Sequence, residues 1–285
     1  DTFCVRPLTH LYVGTSGRYG LCCQSEDSYL SNAKTDEVDA WWSSEYLKDV
    51  RKNLLNGIRI PECNRCWRNE DAGIGSHRLR SNREYLVNAN NYKKFLSRLN
   101  PNNKIIDLEL HHTNLCNLKC LMCREGSSSQ FGNENLKLGF DYNRQIYNWP
   151  LERVEEVLAS GLHVLNIIGG EPLINTELYN LIESCYNKGY LKNTLLHITT
   201  NCTRIDKWHD LLAKIPSLRI MASVDGFDDV YEYIRFEADW NVVSENILKL
   251  QKISNLMVNS VVQNLNILNI HKLIEWTELH NIALE

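Results

Sequence analysis

The sequence predicts an α/β protein: a partial (β/α)6, TIM-like barrel preceded by a small cysteine-rich metal-binding module. Three observations predict it. From about residue 104 onward, apolar strand-like runs alternate with helical patterns, which is the signature of parallel βα units. A loop carrying Cys116, Cys120 and Cys123 directly follows the first of those runs. The first 80 residues hold Cys4, Cys22, Cys23, Cys63 and Cys66 in a stretch of different character.

The strand candidates are 105–113, 164–170, 194–201, 218–226 and 255–263, with 282–285 as the start of a sixth. Helical patterns lie between them, for example Leu151 to Ala159, with apolar residues at 151, 154, 157 and 158. Strands buried on both faces should be almost wholly apolar, and these are not. By the period of two, one face carries Glu109, His111, Thr113, Asn166, His197, Thr199, Asn201, Arg219, Ser223, Asp225, Asn259 and Gln263. The other carries Ile106, Leu108, Leu110, Ile167, Leu196, Ile198, Ile220, Ala222, Val224, Ser260 and Val262. Helices cover the outside of such a barrel, so the polar rows are expected to line its lumen, as a site for a polar substrate requires.

The Cys-x3-Cys-x2-Cys spacing puts three thiolates on one short loop. Three thiolates hold three corners of a cubane iron-sulfur cluster and leave the fourth iron open to a small chelating molecule. A structural zinc site takes four ligands. The loop falls at the C-terminal mouth of the first strand, where barrel enzymes keep their active sites. Gly169-Gly-Glu-Pro172 ends the next strand, and glycines there permit close approach to the backbone.

Taken together, Thr113-Asn-Leu-Cys-Asn-Leu-Lys-Cys-Leu-Met-Cys123 and Gly169-Gly-Glu-Pro172 resemble the radical SAM superfamily. The resemblance implies that Cys116, Cys120 and Cys123 bind a 4Fe-4S cluster chelated by S-adenosylmethionine. It implies that Gly169, Gly170 and Glu171 line the SAM site, with Glu171 accepting from the methionyl ammonium. Met122 stands where the family usually has an aromatic residue whose backbone touches adenine. Thr200-Asn201 resembles the end of the third barrel strand, with Cys202 where a Gly is common, and Ser223-Val-Asp-Gly226 resembles the end of the fourth. By the same likeness Ser223 and Arg235 are candidates for the SAM carboxylate, and Thr199, Asn201 and Asp225 join the cofactor-binding set. Cys185 and Cys202 read as packed thiols. The expected activity is reductive cleavage of SAM to a 5'-deoxyadenosyl radical, which abstracts hydrogen from a peptide or protein side chain or a small metabolite. The electron would come from a reductant such as flavodoxin or ferredoxin.

In the first 80 residues, Phe3-Cys-Val-Arg-Pro7, Gly17-x4-Cys22-Cys23 and Cys63-Asn-Arg-Cys66-Trp67 resemble the SPASM/twitch auxiliary-cluster module. That module normally follows the barrel, whereas here it precedes it. The resemblance implies Cys4, Cys22, Cys63 and Cys66 as ligands of a second Fe-S cluster, with Cys23 as spare or substitute, and a role in net oxidation or cross-linking. Four thiolates in separated segments also suit zinc. Two other classes therefore stay open, a non-catalytic iron-sulfur electron-transfer protein and a zinc-stapled binding module. Residues 81–104 read as a polar linker, residues 105–285 as the barrel, and residues 124–150 as a long insertion of the kind that often forms lids.

The 285 residues and an apolar content of 43% suit one large barrel or two domains. With 31 basic against 35 acidic residues there is no basic field to attract a phosphate backbone, so nucleic acid is not an expected partner. No apolar run approaches the roughly 18 residues that span a bilayer. The clustered cysteines read as metal ligation in a reducing, cytoplasmic compartment rather than as disulfides. The chain opens at Asp1 without a Met and stops near the sixth strand. The expectation is a trimmed chain or a barrel wall completed by a partner.

Overall fold

The computed structural model describes residues 1–26, 35–140 and 146–285. The chain forms two compact units, Asp1–Leu110 and His111–Glu285.

In the first unit, strand β1 (His10–Val13) pairs antiparallel with β2 (Tyr19–Gly20) and parallel with β3 (Asp107–His111), with Val13 opposite Leu110. Helices Glu45–Leu55 and His77–Glu84 start where serines supply a side-chain acceptor: Ser44 accepts from Leu47 N and Ser76 from Leu79 N. Phe3, Val5, Leu8, Val87, Phe95 and Ile106 form the buried core. Residues 81–104 contribute Val87 and Phe95 to it, with Tyr92 and Leu96 packed alongside, because the apolar stripe of helix Tyr92–Leu99 faces inward. This stretch, expected as a linker, is thus built into the first unit. Arg78 is buried and bridges Glu70 at 2.5 Å while donating to Phe3 O at 2.6 Å, which ties helix Asn64–Asp71 to the N-terminal segment.

The second unit contains β4 (Lys119–Cys120), β5 (Val164–Ile168), β6 (Leu195–Thr200), β7 (Leu218–Ser223), β8 (Arg235–Phe236), β9 (Asn255–Asn259) and β10 (Ala283–Leu284). Strands β5, β6, β7, β9 and β10 lie side by side in that order and all pair in parallel. Helices Thr176–Asn187, Asp206–Leu212, Trp240–Gln251 and Ile270–Leu279 make the crossovers. The register aligns Ile167, Ile198, Ile220 and Leu256 across neighbouring strands, all buried. On the other face it aligns Asn166, His197 and Arg219, all half-buried. The period-of-two reading of this sheet therefore holds for its apolar and polar rows.

It fails past Asn259. The strand expected over 255–263 ends there, and Val262, expected in the apolar row, is 59% exposed. The backbone donors that would extend the ladder are diverted to side chains. Val261 N donates to the Asp225 carboxylate and Gln263 N to Asn266 Oδ1, while Asn266 Nδ2 returns to Val261 O. Strands β4 and β8 form a separate antiparallel pair, with Cys120 opposite Arg235. Among the described residues no helix is long and apolar enough to cross a membrane.

Candidate active site

The three-cysteine loop leaves β3 and is held at both ends. Cys116 N donates to Ser129 Oγ at 3.2 Å, Ser129 N donates to Asn114 O at 2.7 Å, and Ser128 Oγ donates to Leu118 O at 2.8 Å. Helix Ser129–Lys137 is thus the footing of the loop, and this part of the segment expected as a lid is scaffold. Residues 141–145 of that segment lie outside the described residues. Cys116, Leu118 and Cys120 form a buried cluster with Cys123 and Ala238 against it. All three thiols are free, and burial raises each, Cys116 to about 12, with Cys120 and Cys123 adding to the effect at Cys116 and Cys123 at Cys120. Arg235 opposes this at Cys120, its guanidinium 3.9 Å from the sulfur. Met122 is 41% exposed at the loop's edge.

The Gly169-Gly-Glu turn is locked onto this loop. Both glycines have positive φ, 92° and 52°. A Cβ on Gly170 would stand 2.1 Å from Leu115 O, and one on Gly169 would stand 3.0 Å from His111 Cα. The bare backbone is required first for the two segments to touch, and Glu171 N then donates to Leu115 O at 2.7 Å. The Glu171 carboxylate is 1% exposed and accepts from Thr200 Oγ1 at 2.6 Å, Asn201 N at 2.6 Å and Leu173 N at 2.9 Å. Burial pushes its carboxyl up and those three donors pull it back down. Three of roughly four acceptor positions are thereby taken by the protein. Glu171 acts here as the clamp between this turn and the end of β6.

Further donors converge on the same mouth. Asn201 Nδ2 donates to Asn117 Oδ1 at 3.1 Å, and Asn117 Nδ2 donates to Thr203 Oγ1 at 2.8 Å, joining the cysteine loop to the end of β6. Thr199 stands on the half-buried face of β6, opposite Met221, while Thr200 points the other way to Glu171. Cys202 has φ +59°, the left-handed region, which accounts for the preference for glycine at this place. Ser223 ends β7 on the polar face, opposite Asn259. Arg235 is half-buried and ion-paired to Asp225 at 2.6 Å, so its guanidinium is shared between that carboxylate and the Cys120 sulfur. The roles of Asn117, Thr203, Ser128 and Ser129 escaped the sequence reading. Only the Ser-rich run before an apolar stretch, a helix-start pattern, hinted at the last two.

In the first unit, four free thiols sense one another. Burial pushes Cys4 to about 11 and Cys22 to about 12, and also raises Cys63. The thiols neighbouring each are drawn from the same set: Cys66 for Cys4, Cys4 and Cys66 for Cys22, and Cys4, Cys22 and Cys66 for Cys63. Cys23 is different. Burial raises it as well, but its next influence is the Glu109 carboxylate, to which it is hydrogen-bonded, and Cys22 is the only thiol among its neighbours. Among the described residues, no group of three or more His, Cys, Asp or Glu side chains is arranged around a single metal ion.

A parallel α/β unit with three free thiols at its mouth, a side-chain-free glycine turn beside them and a polar face below defines a class of cofactor-dependent enzyme. The sequence model described as "Radical SAM superfamily" matches residues 110–276. The chain belongs to this superfamily, whose members are enzymes that carry a 4Fe-4S cluster and S-adenosylmethionine. The SPASM model, described as "Iron-sulfur cluster-binding domain", matches residues 4–67. The donor chemistry fits these groups: three free thiols on one loop, and five free thiols among the described residues of the first unit.

Among curated proteins, a probable GTP 3',8-cyclase of Methanococcus maripaludis is 30% identical over 145 residues, covering 50% of this chain and 43% of that protein. One of Methanothermobacter thermautotrophicus is 26% identical over 133 residues, covering 46% and 39%. The chain thus spans less than half the length of these curated relatives. Among solved structures, native anSMEcpe with bound AdoMet is 21% identical with a TM-score of 0.48, covering 62% of this chain and 50% of that one. SuiB of Streptococcus suis bound to S-adenosylmethionine is 18% identical with a TM-score of 0.48, covering 85% and 51%.

Proposed function

We propose that Cys116, Cys120 and Cys123 ligate the SAM-binding 4Fe-4S cluster and that the chain uses it to oxidise a polar substrate held over the face of Asn166, His197 and Arg219. The observation that carries this reading is the locking of the three-thiol loop to the glycine turn, through Glu171 N to Leu115 O at 2.7 Å, and to the end of β6, through Asn201 to Asn117 at 3.1 Å. When bound, the cluster and SAM supply reductive cleavage of a carbon-sulfur bond and a carbon radical that takes hydrogen from the substrate.

The chain's own residues hold that chemistry in place. Ser128 and Ser129 fix the loop backbone, so the three sulfurs keep their spacing while Cys123 stays accessible. Gly169 and Gly170 keep the mouth free of side chains, and Glu171, Asn201 and Asn117 stop the two loops from separating. The Arg235 guanidinium beside Cys120 places positive charge next to a ligand sulfur, which favours the thiolate. Thr199, Ser223 and Met122 complete the cofactor-binding set. Cys4, Cys22, Cys63 and Cys66 would hold a second iron-sulfur cluster, which would supply a one-electron acceptor.

The substrate is a peptide or protein side chain or a small metabolite. A flavodoxin or ferredoxin delivers the electron, in the cytoplasm. The 30% identity to a probable GTP 3',8-cyclase favours a nucleotide as the second reading. Anaerobic reconstitution followed by assay of 5'-deoxyadenosine, with peptides and nucleotides offered in turn, tests both. Substrate-dependent deoxyadenosine is the expected result, and its absence with every reductant would remove the enzymatic reading.

A further inference from the structure

One cavity of the second unit lies outside the proposed chemistry. His112 follows β3 on the face shared with Leu108 and Leu110, opposite to Glu109, His111 and Thr113. It opens on a cavity of about 440 Å³ at the starts of helices Leu151–Ala159 and Thr176–Asn187. His112 and Trp149 are its buried parts, at 3% and 1% exposure, while Asn148, Glu152, Glu177 and Asn180 are exposed around them. Neither ring nitrogen of His112 has a hydrogen-bond partner. An imidazole this buried with both nitrogens unsatisfied costs stability unless a ligand supplies what is missing.

The lining defines the chemistry of that ligand. It holds two carboxylates, two carboxamides, an imidazole and an indole, and no Lys or Arg. Burial lowers the proton affinity of His112, with Glu177 acting in the opposite sense, so the ring enters neutral with one donor and one acceptor nitrogen. A ligand complementary to this surface is cationic, planar and rich in donors, and it carries a carbonyl close by. An arginine within a peptide has those properties, because its guanidinium forks onto carboxylates and its own amide supplies the acceptor.

We propose that this cavity is a docking site for an arginine side chain of a peptide partner, with the guanidinium on Glu152 and Glu177 and the His112 ring bridging guanidinium and peptide carbonyl. The site stands apart from the radical chemistry, and its test does not depend on activity. Isothermal titration calorimetry of the anaerobically reconstituted chain would use N-acetyl-argininamide as probe, with neutral N-acetyl-citrullinamide as its near-isosteric control. Saturable one-to-one binding of the arginine probe is expected, with citrulline at least about tenfold weaker, the usual worth of a charge-assisted contact. The exposed pair Glu152→Gln and Glu177→Gln together should weaken the arginine probe about tenfold or more while leaving the folded chain intact by circular dichroism. His112→Phe should weaken both probes, since it removes the carbonyl contact that they share. Equal heats for arginine and citrulline, no saturable heat, or unchanged affinity in the double Glu variant would each overturn the proposal.

Discussion

The two thiol sites reach their geometry by opposite routes. Cys116, Cys120 and Cys123 lie within one loop, and the rest of the mouth is brought to them by backbone contact: Gly170 against Leu115, and Glu171 clamped to Thr200 and Asn201. Cys4, Cys22, Cys63 and Cys66 come from separate segments that only the tertiary fold brings together. Three local ligands leave an open coordination position, whereas four dispersed ones close the site. The difference teaches where each site is fragile: the first through its neighbouring turn, the second through its core.

The largest effect should come from the ligands of the open site. Cys120→Ala is expected to abolish deoxyadenosine formation, while Cys63→Ser leaves uncoupled SAM cleavage measurable, so a chromatographic assay of both variants separates the two sites. Full cleavage by Cys120→Ala would break the comparison. Next is Gly170→Ala, which places a methyl 2.1 Å from Leu115 O at φ +52° and is expected to cost on the order of 3 to 5 kcal/mol. Its thermal unfolding should shift down and SAM binding should fail, while iron at the four-thiol site persists.

Glu171→Gln should have an intermediate effect. Three donors converge on that carboxylate, and an amide NH2 in its place would face at least one of them, at a cost of about 2 kcal/mol in chemical denaturation. A variant as stable as the parent would remove Glu171 from its clamping role. The smallest effect is expected at Cys23, whose thiol is hydrogen-bonded to Glu109 and feels Cys22 but not Cys4, Cys63 or Cys66. Cys23→Ser should leave iron content unchanged, and loss of iron in that variant would move Cys23 into the ligand set.

The barrel class, the three-thiol loop and the glycine turn were legible because each is written locally, in a spacing or a period of two. Ile167, Ile198 and Ile220 fall in one buried row as alternation requires. The end of β9 was not legible, since Asp225, 36 positions away, captures the backbone beyond it together with the nearby Asn266. The clamping role of Glu171 was not legible, because nothing in the local sequence shows Thr200 and Asn201 arriving at its oxygens. Arg235 read as a SAM contact, and its pairing with Asp225 again depends on residues ten apart meeting in space. Residues 81–104 read as a linker because their polarity outweighs the few apolar residues, Val87 and Phe95, that enter the core.

The proposed function requires that the chain carry an open three-thiolate cluster and a closed four-thiolate one. Metal analysis with Mössbauer spectroscopy on the triple variant Cys116→Ala, Cys120→Ala and Cys123→Ala tests it most directly. About eight irons in the parent and about four in the variant, in a spectrum of one cubane, are predicted. An iron-free variant holding about one zinc would contradict it and replace the second cluster with a structural four-thiolate zinc site.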